Sequence, residues 1–287
     1  MGRFHTGPFT VGISAASAAN NFLARTSGLD GKHQNAYSAL LTGLTADGFF
    51  DANANSTLLD ALYVFATADS TTAKLNLIAP SYTCTYHGTP AEGTQFAADN
   101  GYTGDGSTVY LDTGFPIGTG GHVLSPGSVS MGVYMTTAWS VGAGQQSPIG
   151  TDNFTGDYLN MTASGAAFTA TINTLTALTA GHAPQGNKGL FSATMLGPPS
   201  TAPTRTIYTF NGSFQGADGT TTSGLNFNLD QQANIFILAI GFTPAAAFFC
   251  SNQVGAAFFG GNLTGTQMTA LATRLNTWMA TFGINAW

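Results

Sequence analysis

Charged residues are what this sequence has least of. Only 7% of its 287 residues are charged, against about 25% in an ordinary soluble domain. There is a single glutamate, Glu92, and the 7 basic against 13 acidic residues leave a net charge of −6. With no basic cluster, the sequence argues against a nucleic-acid groove or an anionic-membrane patch. Because exposed helix faces are normally built from Glu, Lys, Arg and Gln, the same scarcity argues against a helix-dominated fold.

Cysteine and long apolar runs are scarce as well. The two cysteines, Cys84 and Cys250, lie beside aromatic or other apolar residues, which favours buried free thiols over the alternative of a disulfide. No run of about 18 apolar residues occurs, so we predict no membrane-spanning segment. A disordered chain is disfavoured, since 43% of the residues are hydrophobic. What is abundant is Gly and Thr, with 37 and 42 residues, which indicates a β protein with a polar but uncharged surface.

The periodicity of apolar residues divides the chain into two parts. Residues 1–20 are rich in Gly, Ala and Ser without a period, which predicts either an extended arm or a segment docked on another part of the assembly. Residues 33–47 carry an apolar stripe at helical spacing. We therefore assign 1–57 to an N-terminal arm and helix for assembly or docking, and 58–287 to a β domain that ends in a C-terminal helix.

Short strands between turn residues fill most of the second part, a pattern typical of a β-sandwich or barrel. The clearest strand is 128–136, where Val and Met alternate with polar residues and Tyr134, so one face is buried. Residues 234–242 are apolar on both faces and predict a central strand. Other strands are predicted at 108–113, 158–162, 167–174, 189–196, 205–211 and 256–259. The final apolar stripe predicts a helix with Thr264 or Thr266 as its N-cap and Gly283 just past its end.

The groups that common hydrolytic chemistry requires are missing. Retaining glycosidases use two carboxylates about 5 Å apart, and Glu92 has no second glutamate to pair with, while aspartates such as Asp105 and Asp112 occupy turn-like positions. The five histidines are scattered singly, and no Gly-x-Ser-x-Gly motif occurs. Asp99, Asp105 and Asp112 could supply oxygen atoms to Ca²⁺, but their spacing is not that of an EF-hand. We therefore predict no enzymatic activity, no metal and no cofactor.

Three aromatic residues are candidates for stacking on sugar rings. Tyr134 interrupts the polar face of the clearest strand, Trp139 follows just beyond it, and Tyr208 lies in a later predicted strand. Aromatic rings beside hydroxyl and amide groups are typical of sugar-binding sites. The alternative is that each ring packs against a neighbouring loop or subunit.

Two stretches resemble the laminin-G-like, concanavalin A-like jelly rolls. The first is residues 88–114, in which the turn Gly104-Asp-Gly-Ser107 leads into Tyr110-Leu-Asp112; the second runs from Phe259 through Leu263-Thr-Gly-Thr-Gln267 to Leu271. A third segment, with Phe22-Leu-Ala-Arg-Thr-Ser-Gly-Leu-Asp30 and Leu59-Asp-Ala-Leu-Tyr-Val-Phe-Ala66, is similar to proteins encoded in phage and prophage structural regions. The resemblance covers most of residues 20–285.

The resemblance implies an all-β, concanavalin A-like jelly-roll sandwich with an N-terminal arm and helix and a C-terminal helix. Members of that superfamily bind glycans, mediate adhesion or hydrolyse glycosides, and the missing glutamates argue against the last of these. We predict a phage virion structural protein, a tail-fibre, spike or head-fibre subunit that forms homo-oligomers, contacts other virion subunits and binds host-surface polysaccharide. One alternative is a capsid decoration protein that binds no ligand. Another is a polysaccharide depolymerase that uses aspartates.

Overall fold

The computed structural model describes twelve stretches of the chain: residues 16–51, 53–117, 123–140, 144–152, 159–164, 167–172, 177–182, 186–197, 203–212, 214–222, 234–242 and 245–285. Residues 1–15 of the predicted arm, and residues 158, 173 and 174 of the predicted strands, lie outside this part.

The helices and strands follow the order of the chain. The helices are α1 (Ala16–Leu23), α2 (Gly31–Ala46), α3 (Ser70–Ala73), α4 (Glu92–Gln95) and α5 (Gly265–Thr281). The strands are β1 (Leu59–Val64), β2 (Thr85–His87), β3 (Phe96–Ala97), β4 (Gly101–Thr103), β5 (Tyr110–Pro116), β6 (Ser128–Met135), β7 (Gln146–Thr151), β8 (Leu159–Ser164), β9 (Ala167–Ile172), β10 (Leu178–Thr179), β11 (Gly189–Leu196), β12 (Thr204–Asn211), β13 (Gln215–Thr221), β14 (Asn234–Ile237), β15 (Ile240–Gly241), β16 (Ala246–Ala247) and β17 (Gln253–Gly260).

These strands form two mainly antiparallel sheets. The first has the order β13-β12-β11-β6-β17-β4-β3, and β1 also pairs with β17. The second has the order β10-β9-β8-β7-β14-β5-β2, and the short β15 and β16 join it beside β7. Runs of consecutive strands, β11 to β13 and β7 to β10, lie side by side within the sheets. Other neighbours are far apart in sequence, as where β6 lies between β11 and β17, so the sheets are not simple meanders. The predicted jelly-roll sandwich of two mainly antiparallel sheets with a C-terminal helix is confirmed.

Side chains from both sheets interdigitate in an inner core. On β6, Val129, Met131, Val133 and Met135 all belong to this core, as their alternation predicts. The intervening side chains of β6 point to the other face of the first sheet. There a second apolar cluster, which includes Tyr134, joins the sheet to α1, α2 and α5.

The helices α1, α2 and α5 form a layer on the first sheet. The two long ones, α2 and α5, begin and end close to the predicted positions. The Asp30 carboxylate caps α2 by accepting a hydrogen bond from the His33 backbone amide. Thr264 caps α5 in a capping box with Gln267, and Gly283 follows the helix at φ +85°. The helices at 33–47 and at the C-terminus are therefore confirmed.

Two predicted segments differ from the structure. Residues 16–20 are not extended: they open α1, because Ala18 and Ala19 bury their methyl groups in the outer apolar cluster. The predicted central strand at 234–242 does lie inside the sheet, between β5 and β7, but it is broken into β14 and β15. The break falls at Leu238, whose φ of +69° is incompatible with an extended strand. The division of the chain at residue 57 stays a prediction.

Both cysteines are buried free thiols, as predicted. Burial raises the pKa of Cys250 to about 11 and raises the pKa of Cys84 further. Neither thiol is therefore a reactive thiolate at neutral pH. None of the described helices combines the length and the apolar character that crossing a membrane would require.

His33 connects α2 to the turn between β3 and β4. Its Nδ1 lies 2.7 Å from Asp30 Oδ1, its Nε2 lies 2.7 Å from Asp99 Oδ1, and its ring stacks on Phe282 at 4.5 Å. Ionised carboxylates only accept hydrogen bonds, so both ring nitrogens donate when the imidazole is charged. Burial alone would lower the pKa of His33, but the hydrogen bonds to Asp99 and Asp30 outweigh it and raise that pKa above its ordinary value.

This arrangement predicts a pH dependence of stability. Because the folded-state pKa of His33 is raised, its contribution is fully present below about pH 6.5 and is lost as the pH rises through the folded-state pKa. We expect the free energy of unfolding, measured in urea across this pH range, to fall on the alkaline side. The His33→Gln variant should show a flatter profile, and identical profiles for the two proteins would contradict the assignment.

Candidate functional site

Two of the three predicted sugar-stacking residues lie in the interior. Tyr134 is on the outer face of the first sheet, as its alternation implies, but α5 covers it and its hydroxyl donates to Asn276 Oδ1 at 2.7 Å. Burial raises the pKa of Tyr134 accordingly. Trp139 is 1% exposed and packs between the sheets against Phe168 and Phe191. Neither ring presents a face to a ligand, so both assignments as surface stacking residues are corrected.

Tyr208 is the one member of this set that stays partly accessible. It lies on β12, stacks on Phe210 at 6.4 Å, and sits beside the N-terminal end of α5, where a Cβ on Gly265 would lie 3.5 Å from its hydroxyl. Tyr208 packs against the outer apolar cluster that contains Tyr134, whereas Trp139 belongs to the inner core. The three aromatic residues do not converge on one site.

The three aspartates considered for calcium are each engaged with different groups. Asp105 stabilises its own turn, since its Oδ1 accepts hydrogen bonds from the backbone amides of Ser107, Thr108 and Val109. Burial alone would raise the pKa of Asp105, but these hydrogen bonds and the one from the Thr108 hydroxyl outweigh it and lower that pKa. Asp112 accepts from Asn234 Nδ2 at 2.9 Å, and Asp99 binds His33. Within the described stretches, no three His, Cys, Asp or Glu side chains group as metal ligands. A calcium site built from these aspartates is not formed.

The single glutamate, Glu92, forms an ion pair and a hydrogen bond with other side chains of the protein. Glu92 Oε1 lies 2.8 Å from Lys74 Nζ, and the Tyr102 hydroxyl donates to the same oxygen at 2.5 Å. Burial, reinforced by the Glu92 carboxylate, raises the pKa of Tyr102 far above its ordinary value. Glu92 thus links α3, α4 and β4.

A groove of about 660 Å³ lies beside the start of β1, between three segments that are distant in sequence. We call it the α1 groove. Its walls are the α1 helix with Arg25, the turn at 50–56, and the loop at 77–82, with Asp60 and Val123 contributing between them. Of the described residues that line it, Arg25 and Asp60 are the charged ones, and the remaining polar groups are amides and hydroxyls.

The turn at 50–56 is organised by one aspartate. Asp51 Oδ1 accepts hydrogen bonds from the backbone amides of Asn53 and Asn55 at 2.8 and 2.9 Å, an arrangement typical of an Asx turn. The hydrogen bond from the Asn55 amide lowers the pKa of Asp51. Ala54 accommodates the reversal at φ +61°. The turn therefore presents Asn53 and Asn55, both exposed, at the rim of the α1 groove.

The opposite wall depends on Asn76, which is fully buried. Its side chain accepts from the amides of Leu62 and Ile78 and donates to the carbonyls of Asp60 and Ser81, so it holds the 77–82 loop against β1. Tyr82 ends this loop at φ +63°, a left-handed conformation that costs a residue of this size about 1–3 kcal/mol.

The strained position of Tyr82 is maintained by two contacts. The Tyr63 hydroxyl donates to the Tyr82 carbonyl at 2.6 Å, and the Tyr82 ring meets Phe115 edge-on at 4.9 Å. The partly buried phenol ring of Tyr82 is thereby kept at the groove. Strain that the surroundings enforce in this way is characteristic of ligand sites.

The sequence contained part of the signal for this groove. The alternation of Asp51, Asn53 and Asn55 and the Pro80-Ser81 pair are turn signatures that could have been noticed. The arginine was not predictable from local sequence, because Arg25 meets the carbonyls of Asn76 and Ala79 across more than fifty residues.

Comparison with known proteins finds distant structural similarities. No protein-family model matches the sequence, and a search of curated proteins finds no match. Among solved structures, domain 4 of AbnA, a GH43 extracellular arabinanase from Geobacillus stearothermophilus, in complex with arabinotriose, has a TM-score of 0.43 at 13% identity, over 75% of this chain and 98% of that domain.

Two further similarities are to sialidases. A CBM40 of the Ruminococcus gnavus IT-sialidase has a TM-score of 0.38 at 10% identity, over 52% of this chain and 84% of the module. A Trypanosoma rangeli sialidase has a TM-score of 0.48 at 10% identity and covers 88% of this chain. The chain spans only 40% of the length of that sialidase.

Proposed function

We propose that this protein binds a glycan in the α1 groove without cleaving it. The observation that carries the proposal is the groove itself: about 660 Å³, with amides from Asn53 and Asn55, hydroxyls from Ser56 and Ser81, and one aromatic ring from Tyr82. This volume lies within the range of about 300–1,000 Å³ that small-ligand sites occupy. Sugar hydroxyls both donate and accept, so neutral amides and hydroxyls match them without a large desolvation cost.

The absence of cleavage is part of the proposal. Most families of retaining glycosidases use two carboxylates about 5 Å apart. Among the described residues that line the α1 groove, Asp60 is the one carboxylate, and its two oxygens accept hydrogen bonds from the amides of Val123 and Leu124. A single carboxylate engaged in this way supports a binding role.

We further propose that the protein acts in an extracellular phage particle, as a tail-fibre, spike or head-fibre subunit that assembles with copies of itself and with other virion subunits. The uncharged, Thr- and Gly-rich composition supports a surface that contacts other subunits or sugars. The resemblance of residues 59–66 to phage structural proteins supports the location in a phage particle. A capsid decoration protein that binds no ligand is the alternative that the binding experiment separates from this proposal.

The test is binding of the protein to arrayed bacterial surface polysaccharides, followed by titration of the Tyr82→Ala variant. We expect binding by the unmodified protein and a loss of about tenfold or more in affinity on removal of the ring, which corresponds to about 1.4 kcal/mol. Tyr208→Ala is the matched control, since Tyr208 is also a partly exposed tyrosine but lies outside the groove.

The outcomes divide the alternatives. Circular dichroism first establishes that both tyrosine variants are folded. Loss of binding in Tyr208→Ala with full binding in Tyr82→Ala would move the site to β12 and overturn the groove assignment. An array without any signal, together with binding of the protein to purified phage heads, would favour the decoration protein.

A further inference from the structure

Arg25 occupies an unusual position in the wall of the α1 groove. It follows the end of α1, and its guanidinium donates from Nη1 to the Ala79 carbonyl at 2.9 Å and from Nη2 to the Asn76 carbonyl at 2.7 Å. The guanidinium carbon also lies 5.1 Å from the centre of the Phe22 ring. Burial lowers the pKa of Arg25, although an arginine remains charged.

No acidic side chain of the described residues pairs with Arg25. Two other cations among the described residues are paired: Arg274 Nε lies 2.8 Å from Asp47 Oδ2, and Lys74 Nζ lies 2.8 Å from Glu92 Oε1. A guanidinium has five N–H donors, and the two carbonyls use two of them, so three remain for a ligand. A partly buried cation without a counter-ion is costly, and an incoming carboxylate would offset this cost with charge-assisted hydrogen bonds.

The rest of the groove defines how such a ligand would lie. Asp60, the other charged lining residue, would repel a second anion, whereas it can accept hydrogen bonds from sugar hydroxyls. The exposed amides of Asn53 and Asn55 form a neutral rim. Among its described residues, the groove therefore offers an anion the guanidinium of Arg25, and it offers sugar hydroxyls the other polar groups.

We infer that the α1 groove selects an acidic saccharide, a glycan containing uronic-acid-type residues, whose carboxylate pairs with Arg25 while its hydroxyls bind Asp60 and the asparagine amides. This inference rests on the proposed function, since it specifies the class of glycan bound at the same groove. The planar guanidinium matches a carboxylate in a bidentate geometry, which a neutral sugar cannot use.

Matched ligands test the inference. An oligogalacturonate and the same oligosaccharide after reduction of its carboxyl groups differ only in carrying a carboxylate or a primary alcohol on each sugar unit. Both are titrated calorimetrically into the full-length protein. We expect the acidic form to bind at least about tenfold more tightly. This preference should shrink as salt is added, because the ion pair is screened while bonds to neutral hydroxyls are not.

The Arg25→Gln variant should bind the two forms alike, and Arg274→Gln is the control, since Arg274 is also partly exposed but is paired with Asp47 outside the groove. Arg25 also tethers the 77–82 loop, so the salt titration of the unmodified protein keeps the test decisive if Arg25→Gln does not fold.

Equal affinity for both forms, or preference for an amino sugar or for a peptide with a free C-terminal carboxylate, overturns the inference while the groove remains a binding site. If no saccharide binds, the proposed function fails with it.

Discussion

Replacing Trp139 with alanine should destabilise the whole sandwich and should not act as a selective lesion in ligand binding. The indole is 1% exposed and meets Phe168 at 5.8 Å and Phe191 at 5.4 Å, both edge-to-face, between the two sheets. Truncation of a buried tryptophan typically costs about 3–5 kcal/mol, because the cavity it leaves collapses only in part. Domains of this kind are stable by about 5–15 kcal/mol, so urea unfolding should show a large decrease in the midpoint concentration.

The Trp139→Phe variant separates packing from the polar group. Among the described residues, the indole Nε1 of Trp139 is buried without a hydrogen-bond partner. A buried unpaired donor costs about 1–3 kcal/mol, so its removal offsets part of the packing that the smaller ring loses. We expect a net change within about 1.5 kcal/mol. If Trp139→Ala kept the unfolding midpoint and lost only glycan binding, the position between the sheets would be wrong.

The difference between Trp139 and Tyr134 shows how far local sequence reasoning reaches. The alternation in β6 correctly placed Val129, Met131, Val133 and Met135 in the inner core and Tyr134 on the other face. A period of two residues distinguishes the faces of a strand, but it does not state what covers each face. The covering element here is α5, which begins more than 130 residues later, so Tyr134 was assigned to the surface although the helix buries it.

The α1 groove was missed for the same physical reason. Its walls come from the end of α1, the turn at 50–56 and the loop at 77–82, and each of these looks like an ordinary connection when read alone. What makes them a site is their assembly around Asn76, whose four hydrogen bonds join β1 to the loop. Strands and helices follow from local periodicity, whereas a groove between loops depends on tertiary contacts that periodicity does not encode.

Replacing Trp278 with alanine should have an effect as large as that of Trp139→Ala, in a different part of the molecule. Trp278 lies on α5, is 2% exposed, and its ring centre lies 4.4 Å from Tyr37 on α2 and 5.1 Å from Phe282. Its Nε1 donates to the Ala66 carbonyl at 2.8 Å, just past the end of β1. The truncation removes the packing of a large ring, for which we expect a loss of about 3–5 kcal/mol in urea.

In contrast to Trp139→Phe, the Trp278→Phe variant should remain clearly less stable than the unmodified protein. Trp278→Phe keeps most of the ring but leaves the Ala66 carbonyl without the indole donor, and an unsatisfied buried acceptor costs about 1–3 kcal/mol. The same conservative change should therefore have different effects at the two positions: a small net change in stability for Trp139→Phe and a clear loss for Trp278→Phe. Similar losses for Trp139→Phe and Trp278→Phe would contradict the hydrogen-bond assignment of both residues.

The consequences of Trp278→Ala should extend to the α1 groove. Tyr37 lies 4.6 Å from Phe22 on α1, and Phe22 and Arg25 line the groove, so the ring contacts Trp278–Tyr37–Phe22 connect α5 to the binding wall. Native-state hydrogen exchange should show α1 and α2 losing protection before β6 and β17 in Trp278→Ala, because these helices pack through the lost ring. Saccharide affinity should fall with them. Uniform loss of protection across helices and sheets would mean that the helical layer and the sandwich unfold as one unit, and that the groove owes its shape to the sheets instead of to this aromatic contact.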